Sequence, residues 1–119
     1  MSITVYRGDS LDVIRTVTNV PAGETLTKAW LTVKKSNTDA DPGVLQKVIT
    51  TTSGAAGQIT NAGASGTGAL LFTIASAETA ALTTSGLMYD VQVITSGGRV
   101  LTLELASFNV PSRITGAVS

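Results

Sequence analysis

The ten residues from Leu26 to Lys35 read "LTKAWLTVKK". From Lys28 onward the side chains alternate. Ala29, Leu31 and Val33 fall on one side, and Lys28, Trp30, Thr32 and Lys34 on the other. A period of two is what a strand shows when one of its faces is buried. The spacing therefore predicts a half-buried strand with Ala29, Leu31 and Val33 inward. It also puts the only Trp of the chain on the opposite face.

The same grammar extends in both directions, with turn signals at the short intervals expected of an all-β sandwich or barrel. Toward the N-terminus, Leu11 to Thr18 reads as a strand with Leu11, Val13 and Val17 inward, and Ser2 to Tyr6 as a short first strand. The loop "NVPAGET", Asn19 to Thr25, leads into the opening stretch. Beyond it, "SNTDADPG", Ser36 to Gly43, is a polar turn before a strand from Val44 to Thr50. Residues 50–68 are rich in Gly and Ser and read as a long flexible loop with at most a short strand at Gln58 to Thr60. Ala69 to Ile74 is an apolar strand.

In "SAETAAL", Ser76 to Leu82, the β pattern gives way to one or two helical turns. Ser76 is the expected N-cap, Glu78 suits the first turn, and Ala80 and Ala81 are strong helix formers. Leu87 to Thr95 alternates again, with Leu87, Tyr89, Val91 and Val93 on one side. "SGGR", Ser96 to Arg99, is a hairpin turn into a last strand, Val100 to Val110. There the apolar parity switches from Leu101, Leu103 and Leu105 to Phe108 and Val110, which predicts a bulge near Ala106 or Ser107. Asp90 faces away from Tyr89 and is expected to pair with Arg99 or a neighbouring Lys. Pro111 ends the strand, and residues 111–119 read as a C-terminal tail. The total is about seven strands and one short helix in a single domain over residues 1–119. An immunoglobulin-like antiparallel β-sandwich is the simplest arrangement that buries these faces.

Composition narrows the chemistry. The 119 residues are 43% hydrophobic, only 13% charged and 4% aromatic, with eight basic and eight acidic residues. A neutral chain without a basic cluster is poorly suited to nucleic acid, whose affinity rests on neutralising phosphates. A weakly charged surface is also poorly protected against association, which suits a protein that works in an assembly. His and Cys are absent. That excludes nucleophiles activated by an imidazole, thiolate nucleophiles, disulfides and the usual zinc ligands. No phosphate-cradling glycine motif appears in a strand-to-helix context. The opening "MSITVYRGDS" lacks the layout of a signal peptide, and no apolar run approaches the roughly 18 residues of a membrane helix. The expectation is a soluble product of the cytosol with no catalytic residues and no cofactor.

Two motifs invite a sharper reading. Asn37, Asp39 and Asp41 recur at every second position, like the start of a calcium loop, but the match fails at Gly43 and at Val48, where a Glu is required. A capped polar turn is the simpler reading, and no metal site is assigned. Arg7-Gly8-Asp9 spells a cell-adhesion tripeptide. An adhesive loop has to project, whereas this one is a tight link between Tyr6 and Leu11. Gly8 can take a positive φ and Asp9 can bond backbone amides, so the three residues are read as turn-forming.

Taken in order, "ITVYRGDSLDVIRTVT", "TKAWLTVKKSNTDADPGVLQK", "LLFTIASAETAAL" and "MYDVQVITSGGRVLTL…FNVPSRIT" cover nearly the whole chain. They resemble the successive segments of small immunoglobulin-like proteins of bacteriophage virions. The layout is similar to the amino-terminal domain of phage baseplate upper proteins and to head decoration, or cement, proteins. The freestanding length is closer to the latter. The resemblance implies a non-enzymatic structural protein of the virion, made in the host cytoplasm, that binds across subunits of the major capsid protein. A tail, baseplate or neck component that attaches fibres is the alternative, and a host-adhesion module a lesser one. The implied partners are other virion proteins and further copies of the chain, in a homo-oligomer, with no nucleic acid, membrane or small-molecule substrate. Trp30, Gln58, Ile59, Ile114 and Val118 are the interface candidates.

Overall fold

A computed structural model describes residues 2–36, 43–82 and 86–111. The elements run β1 (Ile3–Thr4), β2 (Leu11–Val17), β3 (Leu26–Lys34), β4 (Leu45–Ile49), β5 (Gly57–Asn61), β6 (Gly68–Ile74), α1 (Ser76–Ala80), β7 (Leu87–Thr95) and β8 (Val100–Asn109). They form an all-β sandwich. One sheet has the order β1-β8-β7-β3-β4 and the other β2-β6-β5. Neighbours within each sheet are antiparallel except β1, which lies parallel to β8 with Ile3 opposite Phe108. Among the described residues no helix is long and apolar enough to cross a membrane.

The core is the set of alternate side chains that the two sheets turn toward each other. Ala29, Leu31 and Val33 of β3 and Tyr89, Val91 and Val93 of β7 meet Val13 and Val17 of β2 and Leu70, Phe72 and Ile74 of β6. Phe108 from β8 closes one end, with its ring edge-on to Tyr89 at 6.0 Å and 76°. That geometry suits the opposed charge distributions of ring face and ring edge. Leu26 is buried too, although its even number places it on the outer side of the Ala29-Leu31-Val33 parity. A shift in the β3–β7 register between Leu26 and Lys28 turns it inward.

Three expectations change. First, the bulge in the last strand lies earlier than Ala106 or Ser107. Val91 pairs with Glu104 and Gln92 with Thr102, so Leu103 is the extra residue. Beyond it the inward set is Glu104, Ala106 and Phe108, and Leu105 points outward, 59% exposed. Second, Ser76 is the first helical residue of α1 rather than its N-cap. The cap is Ala75, in extended conformation at φ −78° and ψ 155°. Alanine has no side-chain acceptor to offer. Glu78 supplies the other half of a capping box by accepting the Ala75 N–H at 2.8 Å. Third, the Gly-rich stretch carries a five-residue strand, β5, paired with β6 from Gly57 to Asn61, which brings the strands among the described residues to eight.

Gly57 shows why that stretch needs its glycines. Its φ is +125°, and a Cβ there would sit 1.9 Å from the Leu71 carbonyl oxygen of the adjacent strand. Both the conformation and the contact require a residue without a side chain. Gly57→Ala is therefore expected to lower stability by about 2–3 kcal/mol in denaturant unfolding. Gly54→Ala is the control. Nothing lies within 4 Å of its added Cβ, so its effect should stay within about 0.5 kcal/mol. Equal effects at the two positions would refute this account of β5.

Candidate interaction surface

Trp30 stands on the outer face of the five-stranded sheet, half-buried between its cross-strand neighbours Val48 and Gln92. The Lys28 ammonium lies 5.6 Å from its ring centroid, within cation–π reach. Around it the face carries Val48, 38% exposed, Val100, 60% exposed, and Leu105. A shallow depression of about 480 Å³ runs between Trp30 and Val100 over a polar floor that includes Thr32, Gln46 and Gln92. Gln46 Nε2 donates to the Thr32 hydroxyl at 3.1 Å and Gln92 Nε2 to the Thr102 hydroxyl at 3.3 Å, so the floor is internally bonded. Apolar ridges beside bonded amides make a surface suited to covering by another protein, with aromatic and aliphatic anchors at its centre.

The other interface candidates separate. Gln58 is half-buried on β5, its amide donating to the Thr51 carbonyl at 2.9 Å. Ile59 is removed from the interface set, because it points between the sheets and is 2% exposed. The strand parity of β5 decides this, and a short strand at Gln58 to Thr60 does not by itself say which of its faces is inward. Ile114 and Val118 lie outside the described residues, as do Asn37, Asp39 and Asp41. Among the described residues no three His, Cys, Asp or Glu side chains gather where a metal ion could bind. Sequence reasoning missed Ile14. It is 67% exposed on the outer face of the smaller sheet, beside Leu71 across the β2–β6 ladder. Its even position among inward odd residues was the available signal.

Arg7-Gly8-Asp9 forms a turn tied down at several points. Gly8 has a φ of 90°. The Asp9 N–H donates to the Tyr6 carbonyl and the Arg7 N–H to the Pro111 carbonyl, both at 2.9 Å. Arg7 Nε donates to the Leu82 carbonyl at 3.1 Å. The buried Thr79 hydroxyl of α1 accepts the Gly8 N–H at 2.9 Å and reaches the Asp9 carbonyl at 2.7 Å. The tripeptide thus docks the first strand onto α1 and the end of β8.

The carboxylates whose partners are defined serve the frame. Glu104 accepts Arg15 Nε at 2.5 Å and the Tyr89 hydroxyl, all three reaching between the sheets. Burial works against charge on Arg15, but Glu104 and Tyr89 outweigh it and raise the Arg15 pKa above its ordinary value. Burial, then Glu104, pushes the Tyr89 phenol up. Glu78 joins Lys47 at 2.8 Å, linking α1 to β4. Glu24 accepts the Thr95 hydroxyl at 2.5 Å and Arg99 Nε at 2.9 Å, which fastens the 96–99 hairpin to the loop before β3. Arg99 therefore pairs with Glu24 and not with Asp90.

Compared with family models, curated proteins and solved structures, the chain matches none.

Two expectations follow. Thr79→Val keeps the shape but removes the partner of Gly8 N–H, and should cost about 1–3 kcal/mol of stability, whereas Ser10→Ala should be near neutral. The second concerns pH. Burial tends to raise the pKa of Glu78, but Lys47 and the Ala75 N–H outweigh it and hold the carboxyl below its ordinary 4.5. The Thr95 hydroxyl, helped by Arg99 and opposed by burial, lowers Glu24 likewise. Lowered folded values mean a contribution that is complete above the unfolded pKa and lost as pH falls through the folded one. The melting temperature should therefore drop between about pH 5 and pH 3, and less steeply in Glu78→Gln. An unchanged slope in that variant would count against the Lys47–Glu78 link.

Proposed function

We propose that this chain is a non-enzymatic structural protein of a bacteriophage virion, working as a capsid decoration, or cement, protein. The carrying observation is the outer face around Trp30, where Val48, Val100 and Leu105 stand exposed beside a polar floor that Lys34 and Asp90 also line, on a frame whose defined ion pairs brace strands and loops. The mechanism is surface burial. The Trp30 face docks across neighbouring capsid subunits, and separating those subunits would re-expose the apolar area. Further copies of the chain bind in the same assembly.

The fold reading behind this proposal is the immunoglobulin-like sandwich. In its support, β8-β7-β3 faces β2-β6-β5, which parallels the G-F-C and B-E-D sheets of that fold. The strand β4 stands beside β3, where variable-type domains add one. The fastened Arg7-Gly8-Asp9 turn favours a structural role for the tripeptide over an adhesive one.

The test is co-sedimentation of the purified protein with tail-free capsids of the phage that encodes it. The wild type should pellet with the capsids. Trp30→Ala should bind about thirtyfold more weakly, the ratio that corresponds to a hot-spot loss of about 2 kcal/mol. A wild-type protein left in the supernatant would overturn the proposal, and gold labelling confined to tails would replace it with a tail or baseplate role.

A further inference from the structure

The two long sides of the sandwich are closed by different means. On one side β4 and β5 follow each other in the chain, and the Ile59 N–H donates to the Thr50 carbonyl at 2.7 Å across the gap. On the other side β2 ends the smaller sheet, and β8 is covered by β1 only at Phe108 and Asn109. Among the described residues no backbone hydrogen bond joins β2 to β8. Among the described residues, the two edges Leu11–Val17 and Val100–Ser107 therefore lie open along the same side. An open edge offers unpaired N–H and C=O groups to any other strand.

Side chains span this gap. Arg15 points inward from β2 between Val13 and Val17, and Glu104 points inward from β8. They meet at 2.5 Å, with side-chain exposures of 22% and 11%. Both charges thus stand on edge strands, face inward, and keep some contact with water. A strand added to either edge would cover that remaining access and desolvate an ion pair already half out of water. The Leu103 bulge sits next to Glu104. It breaks the register that an added strand would have to follow.

We propose that Arg15, Glu104 and the Leu103 bulge form an edge guard. It keeps the β2/β8 side from accepting a strand of a second copy and directs contacts to the sheet faces. The inference stands apart from any role in a virion, because it concerns which side of the sandwich is closed to pairing.

The test combines sedimentation with hydrogen exchange at the amides of Val100–Ser107. In the wild type these edge amides should exchange at a rate independent of protein concentration. Slowing with concentration in the wild type would overturn the guard, whether or not any variant folds. The double variant Arg15→Met with Glu104→Leu should self-associate as concentration rises, with exchange at these amides slowed about tenfold or more. The swap Arg15→Glu with Glu104→Arg keeps two inward charges and should behave as wild type. A folded apolar variant that stays in the wild-type state, or that associates without edge protection, would also overturn the proposal.

Discussion

A phenol held between two sheets must still bond its hydroxyl. Tyr89 sits near the start of β7, packed edge-on against Phe108, and its hydroxyl donates to Glu104. Much of the structure around it follows from that one bond. Glu104 must face inward, which forces β8 to change parity, and the extra residue Leu103 is where it does so. Leu105 is then turned out to solvent. A carboxylate facing the core needs a cation, and Arg15 supplies one from the opposite sheet. A single buried hydroxyl thus sets the register of the last strand, the composition of the outer face and the tie between the sheets.

The strand pattern was largely legible because period-two alternation is a direct image of burial. Ala29, Leu31 and Val33 face inward as the spacing of β3 predicts, and so do Leu87, Tyr89, Val91 and Val93 of β7. The misplaced bulge shows where such reading fails. Leu105 looks like a core residue, and Glu104 looks like surface, whereas Leu103 does pack against the core. Only a partner on a strand 89 residues away makes an inward Glu acceptable. Hydropathy along the chain carries no trace of that partner. The β5 strand is longer than the Gln58–Thr60 reading allows, for a related reason. Gly57 is there for a close approach of two backbones, and glycine alone signals a loop just as readily.

The candidate surface was legible in part. Trp30 stands out by its parity in β3, on the face opposite the core. Ile59 looked equally available until the direction of β5 placed it inside. The exposed Val100 and Leu105 were masked, one by its place next to a turn and the other by the wrong register. The ends of ion pairs such as Arg99–Glu24 are separated by 75 residues in sequence and come together only when the loops at one end of the sandwich are stacked.

The parallel pairing of β1 with β8 has a consequence for the order of folding. Thr4 and Asn109, joined in that pairing, are 105 residues apart, nearly the full span of the chain. Contacts that close so large a loop are slow to form, because the entropy of closure precedes any gain from the contact. During synthesis β1 emerges before β8, and the ladder between them can form only once β8 has left the ribosome. Ile3 and Val5 remain uncovered through that interval, as does the turn that Arg7, Thr79 and Pro111 later fasten. Of the described strands, β1 is made before all the others, yet its ladder waits for β8, made after them all.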